Sequence, residues 1–202
     1  MSPPRVGVLA LQGAFREHIL ALQRLGAEAF PVRSAAELAE ADGMILPGGE
    51  STTMDKLLRQ FDLQQPLRRR LLAGMPAMAT CAGLILLARE VVDGLPDQEC
   101  LDILPITVRR NGYGRQPDSF EAAIEVDTLD RPFEAVFIRA PVIEDVDPSL
   151  DVLAAHEGRI VAVSKGPVLG LAFHPELSGD DRLHGLFLDT VTTSARSAAR
   201  GA

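Results

Sequence analysis

"MATCAGLILLA", residues 78–88, decides the fold. A lone cysteine, Cys81, stands between a short apolar run and a longer one, with Gly83 following at the second position after it. The run before it, "PAMAT" from residue 76, has the length of a buried strand. The run after it reads as a helix through Glu90. A strand that passes into a helix through a cysteine makes a sharp turn. That turn lifts the sulfur out of the sheet at the carboxyl end of the strand, where open α/β sheets keep their sites. Unpaired N–H groups at the start of a helix favour thiolate over thiol. A small, inert, buried cysteine is the commoner fate of a lone Cys, and position alone does not exclude it.

The segments around this turn repeat its logic. "RVGVLAL" is a short buried strand ending at Gln12-Gly13. Phe15, Ile19, Leu22 and Leu25 then recur at helical spacing, and Gly26 stops the helix. "AFPVR" is a second strand, and Ser34 with Glu37 forms a capping box over "AAELAEA". "GMILP" is a third strand running into Gly48-Gly49, followed by helices over Thr53–Gln60 and Pro66–Ala73. Strands alternating with helices imply a mostly parallel sheet covered on both faces. From about residue 101 the pattern changes. "ITVRR", "FEAAIEV", "AVFIRA", "DVLAAH", "RIVAVSK" and "PVLGLAFHP" are strand-like, and several are expected to pair antiparallel as an edge or flap. A helix over Asp181–Ser197 follows, with a tail from about residue 195 expected to fray. No linker or repeat divides the 202 residues, so residues 1–202 are expected to form a single domain.

Composition narrows the function. Hydrophobic residues make up 47% and charged residues 24%, a globular balance. A net charge of −8 argues against a nucleic-acid partner, because phosphate binding needs clustered Lys and Arg. The basic run Arg68-Arg69-Arg70 lies beside Leu67, Leu71 and Leu72 and reads as the solvated face of a helix. Two cysteines make no disulfide framework, the N-terminus is no signal peptide, and no apolar run spans a membrane. The expected location is the cytoplasm.

A nucleophilic cysteine needs a base, and the base an orienting partner. Of the four histidines, His18, His156 and His184 read as surface residues. His174 follows the apolar run "PVLGLAF" at a strand end, with Glu176 two positions on. On an extended segment both would point to one side, so that Glu176 accepts a proton from one ring nitrogen and the other faces Cys81. In "LPGGES", residues 46–51, the two glycines allow backbone N–H groups to turn into a site. N–H groups of Gly49 and Ala82 would form an oxyanion hole. Ser51 also fits a helix N-cap. Cys100, in "DQECLDILP", has no comparable setting and is expected to be inert.

Together, Cys81 on its turn, His174-Pro175-Glu176 and Gly48-Gly49-Glu50-Ser51 resemble the class I, or triad, glutamine amidotransferases. "GVLALQGAFREH", "LPGGESTTM", "TCAGLILLA", "RNGYGRQPDSFEA", "FIRAP" and "FHPEL", from residue 7 to 177, resemble more closely the glutaminase subunits of pyridoxal 5′-phosphate synthase. That resemblance implies a flavodoxin-like three-layer sandwich around a mostly parallel mixed sheet. It implies hydrolysis of L-glutamine, with ammonia delivered to a synthase (lyase) partner in a large hetero-oligomer for vitamin B6 biosynthesis. It assigns Cys81 as nucleophile, His174 and Glu176 as the rest of the triad, and Gly49, Glu50, Ser51, Arg110, Ile138 and Arg139 as glutamine-binding residues. A guanidinium is well suited to a substrate carboxylate. No metal or organic cofactor is implied; pyridoxal phosphate would be a product of the complex. One departure is Ala79, where the superfamily turn usually carries glycine; a small change in packing is expected. Two competitors share the fold: another cysteine hydrolase, such as a γ-glutamyl hydrolase or peptidase, and a non-catalytic binding module.

Overall fold

The computed structural model describes residues 3–110 and 119–201, with the backbone alone considered from 198 onward. The Asn111–Asp118 part of the "RNGYGRQPDSFEA" stretch lies outside the described residues.

The first half alternates as expected: β1 (Arg5–Leu9), α1 (Phe15–Arg24), β2 (Glu28–Val32), α2 (Ala35–Ala39), β3 (Gly43–Leu46), α3 (Ser51–Gln60), α4 (Gln64–Leu72) and β4 (Ala77–Thr80). Ser34 caps α2 by accepting from the Glu37 N–H, and the Glu37 carboxylate accepts in return from the Arg33 N–H. Two details differ from expectation. Glu50, not Ser51, caps α3, accepting from the N–H groups of Thr52 and Thr53. The helix after Cys81, α5 (Ala82–Leu87), stops short of Glu90 and turns into strand β5 (Ala88–Val92). Its six residues are all buried, so no amphipathic stripe marks where it ends.

The second half holds β6 (Leu104–Arg109), β7 (Ser119–Ile124), β8 (Phe133–Ile138), β9 (Val142–Val146), β10 (Asp151–His156), β11 (Arg159–Lys165), β12 (Val168–Leu171), a 3₁₀ turn (Pro175–Leu177) and α6 (Arg182–Gly201). Strand β9, "VIEDV", is an addition: two adjacent acidic residues obscure its alternation. The main sheet runs β2-β1-β3-β4-β12-β11-β9-β6-β5, with β10 on β11. The pairs from β2 to β12 are parallel; β12–β11, β11–β9, β9–β6 and β11–β10 are antiparallel. Among the described residues, the flap-like strands β7 and β8 pair with each other, as a small second sheet.

Right-handed crossovers place α1 on one face of the parallel region and α2 on the other. The core between the layers is apolar and closed, with Val6, Val8, Ile45, Met78, Val161 and Phe173 fully buried. Ala79 is also fully buried, in register between Leu46 of β3 and Gly170 of β12. The basic run of α4 is only partly a solvated face: Arg68 donates to the Leu101 carbonyl, and Arg70 to the carbonyls of Leu38 and Ala41. Among the described residues, no helix is long and apolar enough to cross a membrane.

Candidate active site

Four neighbouring parallel strands, β1, β3, β4 and β12, deliver Gln12, Gly48-Gly49, Cys81 and His174 at their carboxyl ends. Strand order reverses at β1, so this is the switch point where open α/β sheets leave a crevice. A pocket of about 260 Å³ lies there, lined by Gln12, Gly49, Glu50, Ser51, Cys81, Ala82, Ile85, Arg110, Ile138, Arg139 and His174. Every site residue expected from the sequence is in this lining except Glu176, which stands behind His174.

Cys81 has φ 48° and ψ −104°, a conformation that a side chain rarely adopts. The turn is held from both sides: the Cys81 N–H donates to the Leu171 carbonyl at 2.9 Å, and its own carbonyl accepts from Ile85 at 3.2 Å. Helix α5 sits directly on β3, since a β-carbon on Gly83 would lie 2.1 Å from the Leu46 carbonyl oxygen. The sulfur is nearly buried and lies 3.9 Å from the Ile138 carbonyl oxygen.

His174 shares the pocket wall with Cys81, and its Nδ1 is 2.7 Å from Glu176 Oε1. The two residues meet for a different reason than expected. Pro175–Leu177 is a 3₁₀ turn, not an extended segment, and it folds Glu176 back beneath the ring. Burial alone would lower the His174 pKa; the hydrogen bonds to Cys81 and Glu176 outweigh it and push it up to about 10. Gly48 lies against the ring, where a β-carbon would come within 2.3 Å of Cε1.

Ala82 and Gly49, whose N–H groups are expected to form the oxyanion hole, both line the pocket with Cys81. Ala82 is the first residue of α5, so its N–H has no partner within the helix. The Gly48–Gly49 peptide is anchored by its carbonyl, which accepts from the Ala14 N–H at 3.0 Å; the Gly49 N–H therefore points away from Ala14. Gln12, which the sequence reading passed over, fixes the next peptide by accepting from the Glu50 N–H at 2.8 Å. Its signal was its place at the end of β1.

At the pocket mouth Arg110 donates to Glu50 Oε1 and Thr52 Oγ1, each at 2.9 Å. Burial would raise the Glu50 pKa, but bonds from Thr53 and Thr52 prevail and hold it down to about 2. Arg139 is exposed at the rim with a positive φ of 41°.

Two histidines are not where the sequence reading put them. His18 and His184 are fully buried, with His18 Nδ1 2.9 Å from His184 Nε2. His156 is half-buried at the end of β10, its ring 5.8 Å from that of Phe120. Cys100 is half-buried and donates to the Ile85 carbonyl at 3.4 Å; burial, then Asp55 and Asp102, push its thiol up to about 11.

A cysteine on a strained strand–helix turn, an imidazole on it and a carboxylate behind suit acyl transfer from an amide. Comparison with known proteins then narrows the class. The profile of the SNO glutamine amidotransferase family matches residues 8–193. The chain belongs to this family. Among its SNO-family relatives, "Pyridoxal 5'-phosphate synthase subunit PdxT" of Acidothermus cellulolyticus is 59% identical over 199 residues, covering 96% of each chain. The protein of the same name from Frankia alni is 53% identical over 195 residues, covering 96% of this chain and 98% of its own. A solved structure described as a glutamine amidotransferase superposes with a TM-score of 0.88 at 47% identity, covering 93% of this chain and 98% of that one.

Proposed function

We propose that this SNO-family protein hydrolyses L-glutamine to glutamate and ammonia through Cys81, His174 and Glu176, and supplies the ammonia to a pyridoxal 5′-phosphate synthase partner. The observation that carries the chemistry is the His174 imidazole in one pocket wall with Cys81, its Nδ1 bonded to Glu176 behind it. The named relatives support the substrate and the partner.

In this reading the Cys81 thiolate attacks the side-chain amide carbon of glutamine. The oxyanion lies between the N–H groups of Ala82 and Gly49. His174 gives its proton to the departing ammonia, then takes one from water as that water attacks the glutamyl thioester. Glu176 keeps the ring in one orientation and balances its charge. Arg110, held by Glu50, and Arg139 supply positive charge near the pocket mouth for the substrate carboxylate, while Ser51 and Ile138 shape its wall. No step requires a metal or an organic cofactor. The work takes place in the cytoplasm, and the partner docks in a large hetero-oligomer.

Coupling to the partner is chemically useful, because ammonia released at neutral pH becomes ammonium, which is no nucleophile. Reorienting the Gly48–Gly49 peptide would break one hydrogen bond to Ala14, about 0.5–1.5 kcal/mol net, which docking can readily offset. One oxyanion donor is worth about 10²–10³ in rate. Ammonia release measured with and without the synthase tests the reading. Strong stimulation is expected. Equal turnover would remove the switch, and peptide cleavage without glutamine hydrolysis would remove the glutaminase assignment.

A further inference from the structure

Next to the triad lies a group of titratable side chains that the mechanism above leaves unused. His18 of α1 and His184 of α6 are fully buried, and neither lines the pocket. His18 Nδ1 is 2.9 Å from His184 Nε2. On its other side, His18 Nε2 is 3.3 Å from Thr80 Oγ1, the residue before Cys81, and 3.3 Å from Glu176 Oε2. The contact with Oε2 is close but not aligned as a hydrogen bond, so among the described residues this buried oxygen has no formal donor. Oε1, the other oxygen, is the one bonded to His174. At the far end of the chain of rings, His184 Nδ1 is buried without a partner among the described residues.

Both rings are neutral near pH 7. Burial, then His184 and His174, push His18 well below the ordinary range. Burial pushes His184 down to about 4, with Asp181 opposing and Arg24 assisting; those two are themselves paired through two contacts of 2.7 Å. Two neutral arrangements then exist. In one, His18 Nδ1–H donates to His184, a bare His18 lone pair faces the Glu176 carboxylate, and a His184 N–H is buried without an acceptor. In the other, His184 Nε2–H donates to His18 Nδ1, His18 Nε2–H faces Glu176 Oε2, and only a lone pair on His184 is left unmatched. The second avoids repulsion at the carboxylate, and an orphaned buried N–H is rarer than an under-used acceptor. The Thr80 hydroxyl rotates to suit either.

We infer that His18 is a positioning residue for the triad: held by His184 as the Nε2–H tautomer, it presents an N–H to the second oxygen of Glu176 and keeps that carboxylate against His174. The inference rests on the triad reading above. Without this N–H, Glu176 would have one oxygen buried with no donor nearby among the described residues, and would be free to tilt off the imidazole.

Side-chain amides test the inference. Gln places its amide nitrogen near the position of a His Nε2, and Asn near that of Nδ1. In the full chain assayed with its synthase, His18→Gln is expected to keep kcat within about threefold of wild type, and His18→Asn and His18→Leu to lower it about tenfold or more with KM little changed. In a Glu176→Gln background, His18→Leu is expected to add less than about twofold, because both changes act through one carboxylate. A purely structural role would treat Gln and Asn alike and give multiplicative losses in the double variant. Equal kcat for Gln and Asn in folded protein, or full additivity, overturns the assignment. The Gln and Asn pair still decides if His18→Leu does not fold. Unchanged turnover in Glu176→Gln and His174→Asn as well would overturn the triad reading itself, and the role of His18 with it.

Discussion

The two cysteines lie against opposite backbone groups of one residue, Ile85 in the short helix α5. The Ile85 N–H binds the Cys81 carbonyl at 3.2 Å, and the Ile85 carbonyl accepts from the Cys100 thiol at 3.4 Å. Cys81 opens on the pocket and faces an imidazole. Cys100 faces a carbonyl, and burial first, then Asp55 and Asp102, raise its pKa to about 11. The same side chain is therefore placed for reaction at one end and kept as a thiol at the other. Cys81 is the more buried of the two, so burial alone does not decide which sulfur reacts; the imidazole in the wall beside Cys81 does.

The largest expected effect sharpens that contrast. Cys81→Ala should remove glutamine hydrolysis, on the order of 10⁴–10⁶-fold, while leaving the far-ultraviolet circular dichroism unchanged. Cys100→Ala should stay within about twofold. His174→Asn should lose nearly as much as Cys81→Ala, and Glu176→Gln less, about 10²–10⁴-fold, because the imidazole remains. Near-normal turnover in His174→Asn would break the contrast, since the imidazole that sets Cys81 apart from Cys100 would then contribute nothing. Gly48→Ala is a smaller test. Its β-carbon would meet the His174 ring at 2.3 Å, and displacing a catalytic group by about 1 Å costs on the order of 10²-fold. Steady-state kcat and thermal melting would separate displacement from unfolding.

The smallest effect concerns stability. Glu50→Ala removes the α3 cap and should lower stability by about 0.5–2 kcal/mol, measured by urea unfolding at pH 7. The Glu50 pKa is depressed in the folded protein to about 2, below its ordinary 4.5. Its contribution is therefore fully present above about pH 4.5 and fades as pH falls toward 2. The gap between wild type and Glu50→Ala should narrow over that range. A constant gap would show that the carboxylate charge is not what caps the helix.

Much of the parallel half was legible because strand and helix periods alternate there, and because chemistry clusters at strand ends. Cys81, His174 and the Gly48-Gly49 turn each follow an apolar run that stops abruptly. Less was legible where burial hides the period. Helix α5 is apolar on every side, so the sequence carried no sign that Ala88 begins a strand. The pair His18 and His184 is a different case, because the signal was there. His18 shares the stripe of Leu22, four residues on, and His184 precedes Phe187, Leu188 and Val191 at helical spacing. Their periodicity marks them as core, against the usual preference of histidine for at least partial exposure. Gln12 carries no pattern beyond following a strand, and only the fold brings it to the Gly49-Glu50 turn.

Covalent labelling with a glutamine-analogue electrophile, followed by peptide mapping, tests the central claim most directly. The account predicts one label, on Cys81, protected by L-glutamine and strongly slowed in His174→Asn. A label on Cys100 with Cys81 unmodified would contradict it.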